Sequence, residues 1–328
     1  MGRADWRVPL WSVGIWRQPL LAELLGGSVE RVVVPRGGGQ WLGWGAKPSA
    51  RRAAWYARRA GGDSVQLEDG FIRSYGTGEH FPALSLVVDD RGIYYDSTRP
   101  SELEAMLASG EDLLAGMQEQ VCRARALLLE YRLSKYNHAP ILEDVAGLAV
   151  RAGARERVLL VDQTVGDLSV SLGGANENTF FTMLAAARRE HPQATIYIKT
   201  HPEVSSGRKR GYLSAVAEDE RTVLIRGAVN PLSLLEQMDR VYVVSSTMGF
   251  EALLAGKPVS VFGLPWYAGW GVSDDRLHCP RRGRQRTVDE LFAAAYFHYS
   301  RYLNPFTHAR GSIFDVFEWL RLQRRLLW

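Results

Sequence analysis

The feature that most constrains the fold is a regular alternation of apolar runs and amphipathic segments from about residue 155 onward. The strand-like runs are "RVLLVDQ", "ATIYIKT", "RVYVVSS" and "PVSVFG", and the helical segments between them are "NENTFFTMLAAARREH", "NPLSLLEQM" and "GFEALLAGK". Strands that are joined through helices lie parallel in one sheet, and helices cover both of its faces. The pattern therefore predicts a Rossmann-like α/β domain over residues 151–285.

The first part of the chain predicts a second α/β domain over residues 1–150. Strands are expected at "VERVVVP" and "SVQLE", with the helix "RRAAWYARRA" between them. "LSLVVDD" and "GIYYD" predict a hairpin, and the helices "PSELEAMLASG" and "EDLLAGMQEQVCRARALLLEYRL" follow. We place the boundary near residues 145–157 and expect two further helices in a C-terminal segment, residues 286–328. Two α/β domains that face a central cleft are the predicted architecture.

Composition limits the classes of partner. The 328 residues are 46% hydrophobic, which supports a large packed core and excludes wholesale disorder. A net charge of +4 is mild, so we expect no nucleic-acid partner. The basic stretches "CPRRGRQR" and "RLQRRLLW" would suit an anionic ligand or an anionic membrane surface. Cys122 and Cys279 are too few and too far apart to indicate a disulfide framework or a zinc site.

The N-terminal stretch "MGRADWRVPLWSVGIWRQ" is not typical of a signal peptide, because charged residues interrupt its apolar part. No apolar run approaches the length of a transmembrane helix. We therefore expect a cytoplasmic protein whose membrane contact, if any, is peripheral.

The stretch "IYIKTHPEV" ends an apolar strand with polar side chains. In parallel α/β sheets, ligands bind beyond the carboxyl ends of the strands, where Lys199 and His201 are expected to lie. Pro202 would end the strand and restrict the backbone of His201. A cation and an imidazole would suit a phosphate or a carboxylate; the alternative is a strand whose polar end is merely solvated.

Two other strands of the same predicted domain end in polar residues. "LLVDQTVGDLSV" ends in Asp162, Gln163 and Thr164, followed by Asp167 and Ser169. "VYVVSSTMGFEALLAG" ends in a Ser-Ser-Thr run, residues 245–247, directly before a helix. Hydroxyl groups and the backbone N–H groups of a helix start favour an anion, although Ser246 or Thr247 could simply cap that helix.

A pair of acidic residues, Glu68 and Asp69, ends a strand of the first predicted domain. Neighbouring side chains on an extended strand point to opposite faces, so only one of the two is expected to face a cleft. A carboxylate from this pair and Asp167 from the other domain could together perform glycosyl transfer with retention, which requires a nucleophile and an acid or base.

Several long motifs resemble the KpsC family of capsule polysaccharide β-Kdo glycosyltransferases. They occur in family order from about residue 12 to the end: "GIWRQPLLAELLGG", "LEDGFIRSYG", "ALSLVVDDRGIYYD", "LSKYN", "VDQTVGDLSV", "IKTHPEV", "SSTMGFEALLAGKPVSVFGLPWYAGWGVSDD" and "RRGRQRTVDELFAAAY". The resemblance implies a GT-B-like fold, CMP-Kdo as the donor substrate and retention at the anomeric carbon. Similarity to a broader group of retaining Kdo transferases implies a covalent Kdo–aspartate intermediate. Because His201, Lys199 and a helix N-terminus could stabilise a phosphate leaving group, we expect no metal or other cofactor.

The resemblance also implies roles for individual residues. The family's Q-x-x-x-D segment falls on Gln163 and Asp167, which makes Asp167 the nucleophile. Its E-D-G-F segment falls on residues 68–71, where side-chain alternation leads us to choose Glu68 as the acid/base and Asp69 as secondary. The donor-binding residues that we expect, from the motif matches together with the polar strand ends, are Gln163, Lys199, His201, Pro202, Ser245, Ser246, Thr247 and Glu251.

The opening "GIWR" segment resembles the first of the family's two tandem modules, and the sequence holds one module. This departure indicates either a part of a longer protein or a single-module relative. The expected partners are CMP-Kdo, a Kdo-terminated glycolipid acceptor and other capsule biosynthesis proteins, at the inner face of the inner membrane. Two alternatives stay open: another GT-B transferase that inverts the anomeric configuration, and a non-catalytic module that binds a sugar nucleotide.

Overall fold

The computed structural model describes residues 6–78, 80–143, 156–201, 204, 207 and 209–327. The chain divides into two compact units, the first comprising Met1–Tyr94, Arg99–His138 and Phe292–Trp328 and the second comprising Tyr95–Thr98 and Ala139–Leu291. The division therefore falls near residue 138, before the predicted boundary, most of which (residues 144–155) lies outside the described residues. The predicted C-terminal segment, residues 286–328, is not separate, because most of it belongs to the first unit.

Strands and helices occur in the following order. The strands are Trp6–Pro9 (β1), Val29–Val32 (β2), Gln40–Trp44 (β3), Asp63–Asp69 (β4), Ser85–Asp89 (β5), Arg157–Val161 (β6), Thr195–Lys199 (β7), Thr222–Ile225 (β8), Arg240–Val243 (β9), Val259–Val261 (β10), Asp274–Asp275 (β11), Ser300–Asn304 (β12) and Ala309–Gly311 (β13). The helices are Val13–Trp16 (α1), Leu21–Leu25 (α2), Pro48–Ala60 (α3), Glu102–Ala108 (α4), Gln118–Glu130 (α5), Leu168–Leu172 (α6), Glu177–Glu190 (α7), Pro231–Glu236 (α8), Met248–Leu254 (α9), Val288–Ala293 (α10) and Ile313–Leu327 (α11). A π-helix, Ala294–His298, continues from α10.

The sheet of the first unit has seven strands in the order β13-β12-β5-β4-β3-β1-β2. Strands β1 to β4 pair in parallel, whereas β5, β12 and β13 join as antiparallel strands. Helix α3 connects β3 to β4; Pro48 occupies its first turn, and Gly61 ends it in the left-handed conformation at φ 73°. Trp41, Leu67 and Leu86 are fully buried and form part of the core of this unit.

Three predictions for the first unit are wrong. Residues 92–96 form no strand, because the carboxylate of Asp89 accepts the N–H groups of Gly92 and Glu102 and closes a turn into α4. Strand β5 instead lies between two antiparallel partners, β4 and β12, and β12 falls at residues expected to be helical. Helix α5 also begins later than predicted, after Gly116, which has a positive φ of 71°.

The sheet of the second unit has six strands in the order β11-β10-β9-β6-β7-β8, and every pair is parallel. The predicted alternation of strands and helices is confirmed, and two strands that were not predicted, β8 at "TVLI" and β11 at Asp274–Asp275, belong to the same sheet. The central strands are apolar on both faces because helices cover both; all five residues of β7 are buried. Phe180 and Met183 of α7 pack against Leu160 and Ile198.

Across the part of the chain that the structure describes, every helix is too short or too polar to cross a membrane.

Candidate functional site

In the second unit, the order of the strands reverses between β6 and β9, and the carboxyl ends of these two strands lie side by side at that point. The two strands are neighbours, but β6 leads to β7 on one side and β9 leads to β10 on the other. Loops therefore leave the sheet in opposite directions here, which opens the crevice where ligands bind in α/β sheets. Gln163 follows β6 and Ser245 follows β9, so this point joins two of the polar strand ends that the sequence predicted.

Gln163 is the centre of a hydrogen-bond network at this point. Its Nε2 group lies 3.3 Å from Asp167 Oδ2, 3.2 Å from Ser169 Oγ and 3.1 Å from Ser245 Oγ. Its Oε1 atom accepts the backbone N–H of Ser245 at 3.0 Å. Because Gln163 is buried and its amide has partners on both strand ends, its orientation is fixed.

The carboxylate of Asp167 is oriented by its neighbours and remains partly exposed. Oδ1 accepts the N–H and the hydroxyl group of Ser169, at 2.9 and 2.8 Å, and caps helix α6. Oδ2 accepts from Gln163. Among the described residues, no cation forms an ion pair with this carboxylate, so the groups that donate hydrogen bonds to it are all neutral. Such a group has the geometry of a positioned nucleophile.

Asp162 has a different environment from Asp167. Its side chain is buried, and Oδ1 accepts the N–H groups of Gln163 and Leu213 at 2.9 and 3.0 Å. A Cβ atom at Gly211 would lie 2.2 Å from Oδ2, which requires glycine at that position. Burial raises the pKa of Asp162 to about 6, although these backbone N–H groups partly oppose the rise. Asp162 therefore ties the loop that contains Leu213 to the end of β6.

Lys199 and His201 lie at and beyond the end of β7, as predicted. The Lys199 side chain is buried, and Nζ donates to the carbonyl oxygen of Thr200 at 2.7 Å. Burial lowers the pKa of Lys199 to about 8. His201 is half-buried. Pro202 lies outside the described residues, so its predicted role stays a prediction.

The start of helix α9 differs from the expected set of uncompensated N–H groups. The N–H of Met248 donates to Ser246 Oγ at 3.3 Å, and the N–H of Gly249 donates to the Ser246 carbonyl at 3.1 Å. Thr247 precedes the helix but makes no side-chain capping bond. The helix has seven residues, and Glu251 is buried within it. The hydroxyl groups of Ser246 and Thr247 are therefore better placed to meet a ligand than the backbone is.

Glu68 and Asp69 end strand β4 in the first unit and have different partners. Glu68 Oε1 accepts the indole N–H of Trp44 at 2.9 Å, whereas Asp69 Oδ2 forms an ion pair with Arg73 Nε at 2.9 Å. Burial raises the pKa of Glu68; the Lys135 cation opposes this rise, and the charge of Asp69 adds to it. Gly70 follows because a Cβ there would lie 2.2 Å from Ser85 Oγ. A raised pKa suits an acid/base group, and the ion pair suits a structural role for Asp69.

Lys135 belongs to this cluster, and no role was predicted for it. Burial alone would lower the pKa of its ammonium group, but Tyr94 and the carboxylate of Asp69 reverse the effect and raise it. The "LSKYN" loop is fixed by the fully buried Asn137, which donates to the carbonyl of Ser74 at 3.0 Å. The unusual motif was the only sequence signal for this residue.

Within the described residues, no three His, Cys, Asp or Glu side chains are grouped as they would be to hold a metal ion.

Comparison with known proteins defines the class. The sequence profile of the family described as "Capsule polysaccharide biosynthesis protein" matches residues 40–302. This match covers most of the chain, so the chain belongs to that family. It is 47% identical over 292 residues to the capsule polysaccharide modification protein LipA of Neisseria meningitidis serogroup B, a match that covers 87% of this chain. The matched region spans only 41% of the length of LipA.

Two solved structures from Thermosulfurimonas dismutans are similar over nearly the whole chain. The first, "KpsC, beta Kdo 2,4 transferase", has a TM-score of 0.89 and 47% identity, and the match covers 96% of this chain and 98% of that one. The second, "KpsC, beta Kdo 2,7 transferase", has a TM-score of 0.68 and 26% identity, covering 98% and 99%. The resemblance to the KpsC family and the GT-B-like α/β fold that it implied are thereby confirmed.

Proposed function

We propose that this chain is a β-Kdo glycosyltransferase of capsule polysaccharide synthesis, which moves Kdo from CMP-Kdo to a Kdo-terminated glycolipid. The observation that carries the proposal is the match to the Thermosulfurimonas dismutans β-Kdo 2,4 transferase over 96% of this chain and 98% of that one. The 2,7 transferase is more distant in both identity and TM-score. A 2,4 linkage is therefore the product that we expect.

The first chemical step is assigned to Asp167. A carboxylate oxygen attacks the anomeric carbon of Kdo, the bond from that carbon to the phosphate oxygen breaks, and CMP leaves with the bonding electrons. Gln163 and Ser169 support this role because their hydrogen bonds fix the carboxylate without neutralising its charge. This displacement forms an ester between Asp167 and Kdo and inverts the anomeric configuration once.

The second step is assigned to Glu68 acting as a base. The acceptor hydroxyl group gives its proton to the Glu68 carboxylate, and its oxygen attacks the anomeric carbon while the bond to Asp167 breaks. This displacement inverts the configuration a second time, so the product retains the configuration of the donor. Burial of Glu68 supports the assignment, because a raised pKa makes its carboxylate a stronger base than an exposed glutamate.

The donor phosphate is assigned to Lys199, His201 and the hydroxyl group of Ser246. A phosphate leaving group requires stabilisation of negative charge, which a cation, an imidazole and a hydroxyl group supply without a metal cofactor. Gln163 and Ser245 are assigned to positioning, since they bond to each other at 3.0 Å. Pro202, Thr247 and Glu251 remain predicted members of the donor site.

The product distinguishes this proposal from its alternatives. The protein is incubated with CMP-Kdo and a lipid-linked acceptor that ends in Kdo, and the product is examined by NMR. Retention and a bond to O4 of the acceptor Kdo are expected. An inverted product would support the other class of GT-B transferase. No product, combined with CMP binding by calorimetry, would support a non-catalytic module.

Location and partners complete the proposal. We propose that the protein works in the cytoplasm at the inner face of the inner membrane, alongside other capsule biosynthesis proteins. The exposed end of α11, with Arg325 and a Leu326 that is 82% exposed, supports peripheral contact with an anionic surface. Flotation of the protein with vesicles that contain phosphatidylglycerol would test this contact.

A further inference from the structure

A cavity of about 490 Å³ lies in the first unit, apart from the Glu68 carboxylate and its partners. Helix α5, the π-helix Ala294–His298, strands β12 and β13 and the first residues of α11 surround it. Its size is within the range typical of small-molecule sites. Short π-helical segments inside α-helices are frequent at functional sites, which makes this cavity a candidate binding site.

The cavity is strongly cationic. Arg123, Arg301 and Arg310 line it, and no aspartate or glutamate does. Among the described residues, none of these three arginines forms an ion pair. Three guanidinium groups around one space without a carboxylate repel one another, so an anion would lower the electrostatic free energy of this region.

Arg301 is held in place by neutral groups. One Nη1 hydrogen bond reaches the carbonyl oxygen of Leu25 at 2.9 Å, and the guanidinium lies over the Trp6 ring, 5.6 Å from its centroid. Burial lowers the pKa of Arg301, and the charge of Arg310 lowers it further. Arg301 is therefore a pre-positioned cation whose remaining N–H groups have no acceptor within the described part of the chain.

Arg310 and Arg123 complete the cavity from two sides. Arg310 pairs with Leu303 across β12 and β13, which places its side chain on the same face of the sheet as Arg301. Arg123 reaches from α5 and lies over the Phe314 ring, 4.9 Å from the centroid. Both side chains are exposed, so a ligand can reach them without any rearrangement of the core.

We propose that this cavity, the arginine pocket, binds the phosphate group of an anionic ligand. Guanidinium groups bind phosphate oxygens through paired N–H bonds, and three of them around one cavity suit a doubly charged group. A soluble phosphate ester and the headgroup of an anionic phospholipid share this chemistry. The site does not depend on the proposed transfer of Kdo.

The test compares the wild-type chain with an Arg123→Ala/Arg310→Ala double variant. Both side chains are exposed, so the variant should fold, which an unchanged melting temperature would verify. Arg58→Ala is the matched control, because Arg58 is exposed on α3 in the same unit and does not line the pocket. One arm titrates inorganic phosphate by calorimetry. The other measures sedimentation with vesicles of phosphatidylglycerol and, for comparison, of phosphatidylcholine.

We expect the double variant to lose about tenfold or more in affinity in at least one arm, and Arg58→Ala to behave as wild type. Loss in the calorimetric arm alone would assign a soluble ester. Loss in the phosphatidylglycerol arm alone would assign a lipid headgroup. The proposal would be overturned if wild type and double variant bound equally in both arms, if neither phosphate nor phosphatidylglycerol bound, or if Arg58→Ala lost as much affinity as the double variant.

Discussion

The two carboxylates that we assign to the chemistry, Asp167 in the second unit and Glu68 in the first, have opposite surroundings. Asp167 is partly exposed and is held by an amide, a hydroxyl group and a backbone N–H, all neutral. Glu68 lies beside charged groups, Asp69 and Lys135, and burial raises its pKa. Hydrogen bonds fix the position of the Asp167 carboxylate, whereas burial and neighbouring charges set the protonation state of Glu68.

This difference teaches what each sheet contributes. The parallel sheet of the second unit brings strand ends together, so neighbouring loops can fix a side chain with short hydrogen bonds. The mixed sheet of the first unit places β4 between β3 and β5, so the half-buried charged side chains at its end are partly shielded from water and interact with one another. Substitution of Asp167 should therefore act through geometry, and substitution of Glu68 through pH dependence.

The largest expected effect is that of Asp167→Asn. Asparagine can still accept from Ser169, so the start of α6 is retained, but a neutral amide cannot form the ester with Kdo. Transfer should fall by roughly three to five orders of magnitude, while CMP binding stays within about threefold of wild type. Initial rates with CMP-Kdo measure the loss of transfer, and calorimetry with CMP measures whether binding is retained. Turnover close to wild type would exclude Asp167 as the nucleophile.

Glu68→Gln should have the next largest effect, a loss of roughly 10²- to 10⁴-fold in transfer. Because burial raises the pKa of Glu68 above its usual 4.5, the wild-type rate should fall on the acidic side at a pH above the ordinary glutamate range. Asp69→Asn is the matched comparison, since Asp69 serves an ion pair with Arg73. An inactive Asp69→Asn protein beside an active Glu68→Gln protein would reverse the assignment.

His201→Ala should weaken CMP binding by roughly ten- to a hundredfold, the loss of one charge-assisted bond to phosphate. His278→Ala is the control, because His278 is exposed in the same unit and has no predicted role. Calorimetric titration with CMP and a melting curve for each protein separate binding from folding. Equal affinity in the two variants would place the phosphate elsewhere.

The pH dependence of CMP binding tests Lys199. Its pKa of about 8 means that the ammonium group is protonated below pH 8 and becomes neutral above it. Affinity should change little near pH 7, fall by about twofold by pH 8 and then fall by up to about tenfold per pH unit. Lys199→Met should bind CMP more weakly and show no such fall. A pH-independent wild-type affinity from pH 7 to 9.5 would remove Lys199 from the donor site.

The smallest expected effect concerns stability and Asp162. Its folded pKa of about 6 lies above the usual 3.8, so the stabilisation is full below pH 3.8 and is lost as pH rises through 6. The free energy of unfolding should fall by roughly 1.4 kcal/mol between pH 5 and pH 7.5 from this group alone. Urea unfolding at the two pH values should show this fall in wild type and its absence in Asp162→Asn. The same fall in both proteins would contradict the assignment.

The sequence predicted the features that depend on the order of strands and helices along the chain. The strand ends at Gln163 and Ser245 could be placed because a parallel sheet aligns its carboxyl ends, whatever the length of the connections. The pairing of β12 with β5 could not, because residues about 215 apart in the chain meet there and neither run carries a signal for the other. Distance in sequence also hid Lys135, because the loop that carries it meets the end of β4 only in the folded chain, where Lys135 interacts with Asp69.

The role of Ser169 was also underestimated. A serine two residues after an aspartate is typical of a helix start, and it does serve that purpose. Its hydroxyl group additionally bonds to Asp167 and lies 3.1 Å from Ser245 Oγ. The sequence could not show that this hydroxyl group links the cap of α6 to the hydrogen-bond network of Gln163. Its second partner, Ser245, follows a strand about 75 residues later in the chain.

The assembly of the first sheet from both ends of the chain has a consequence for folding during synthesis. Most of the second unit is continuous, from Ala139 to Leu291, and its strands pair across shorter distances in the chain than β5 and β12 do. The first unit cannot gain β12 and β13 until the ribosome has made residues 300–311, so the edge of β5 stays unpaired meanwhile. Long-range pairing is slow, and an unpaired edge invites aggregation. We therefore expect the second unit to become protease-resistant first in stalled nascent chains, and the first only when α11 has emerged.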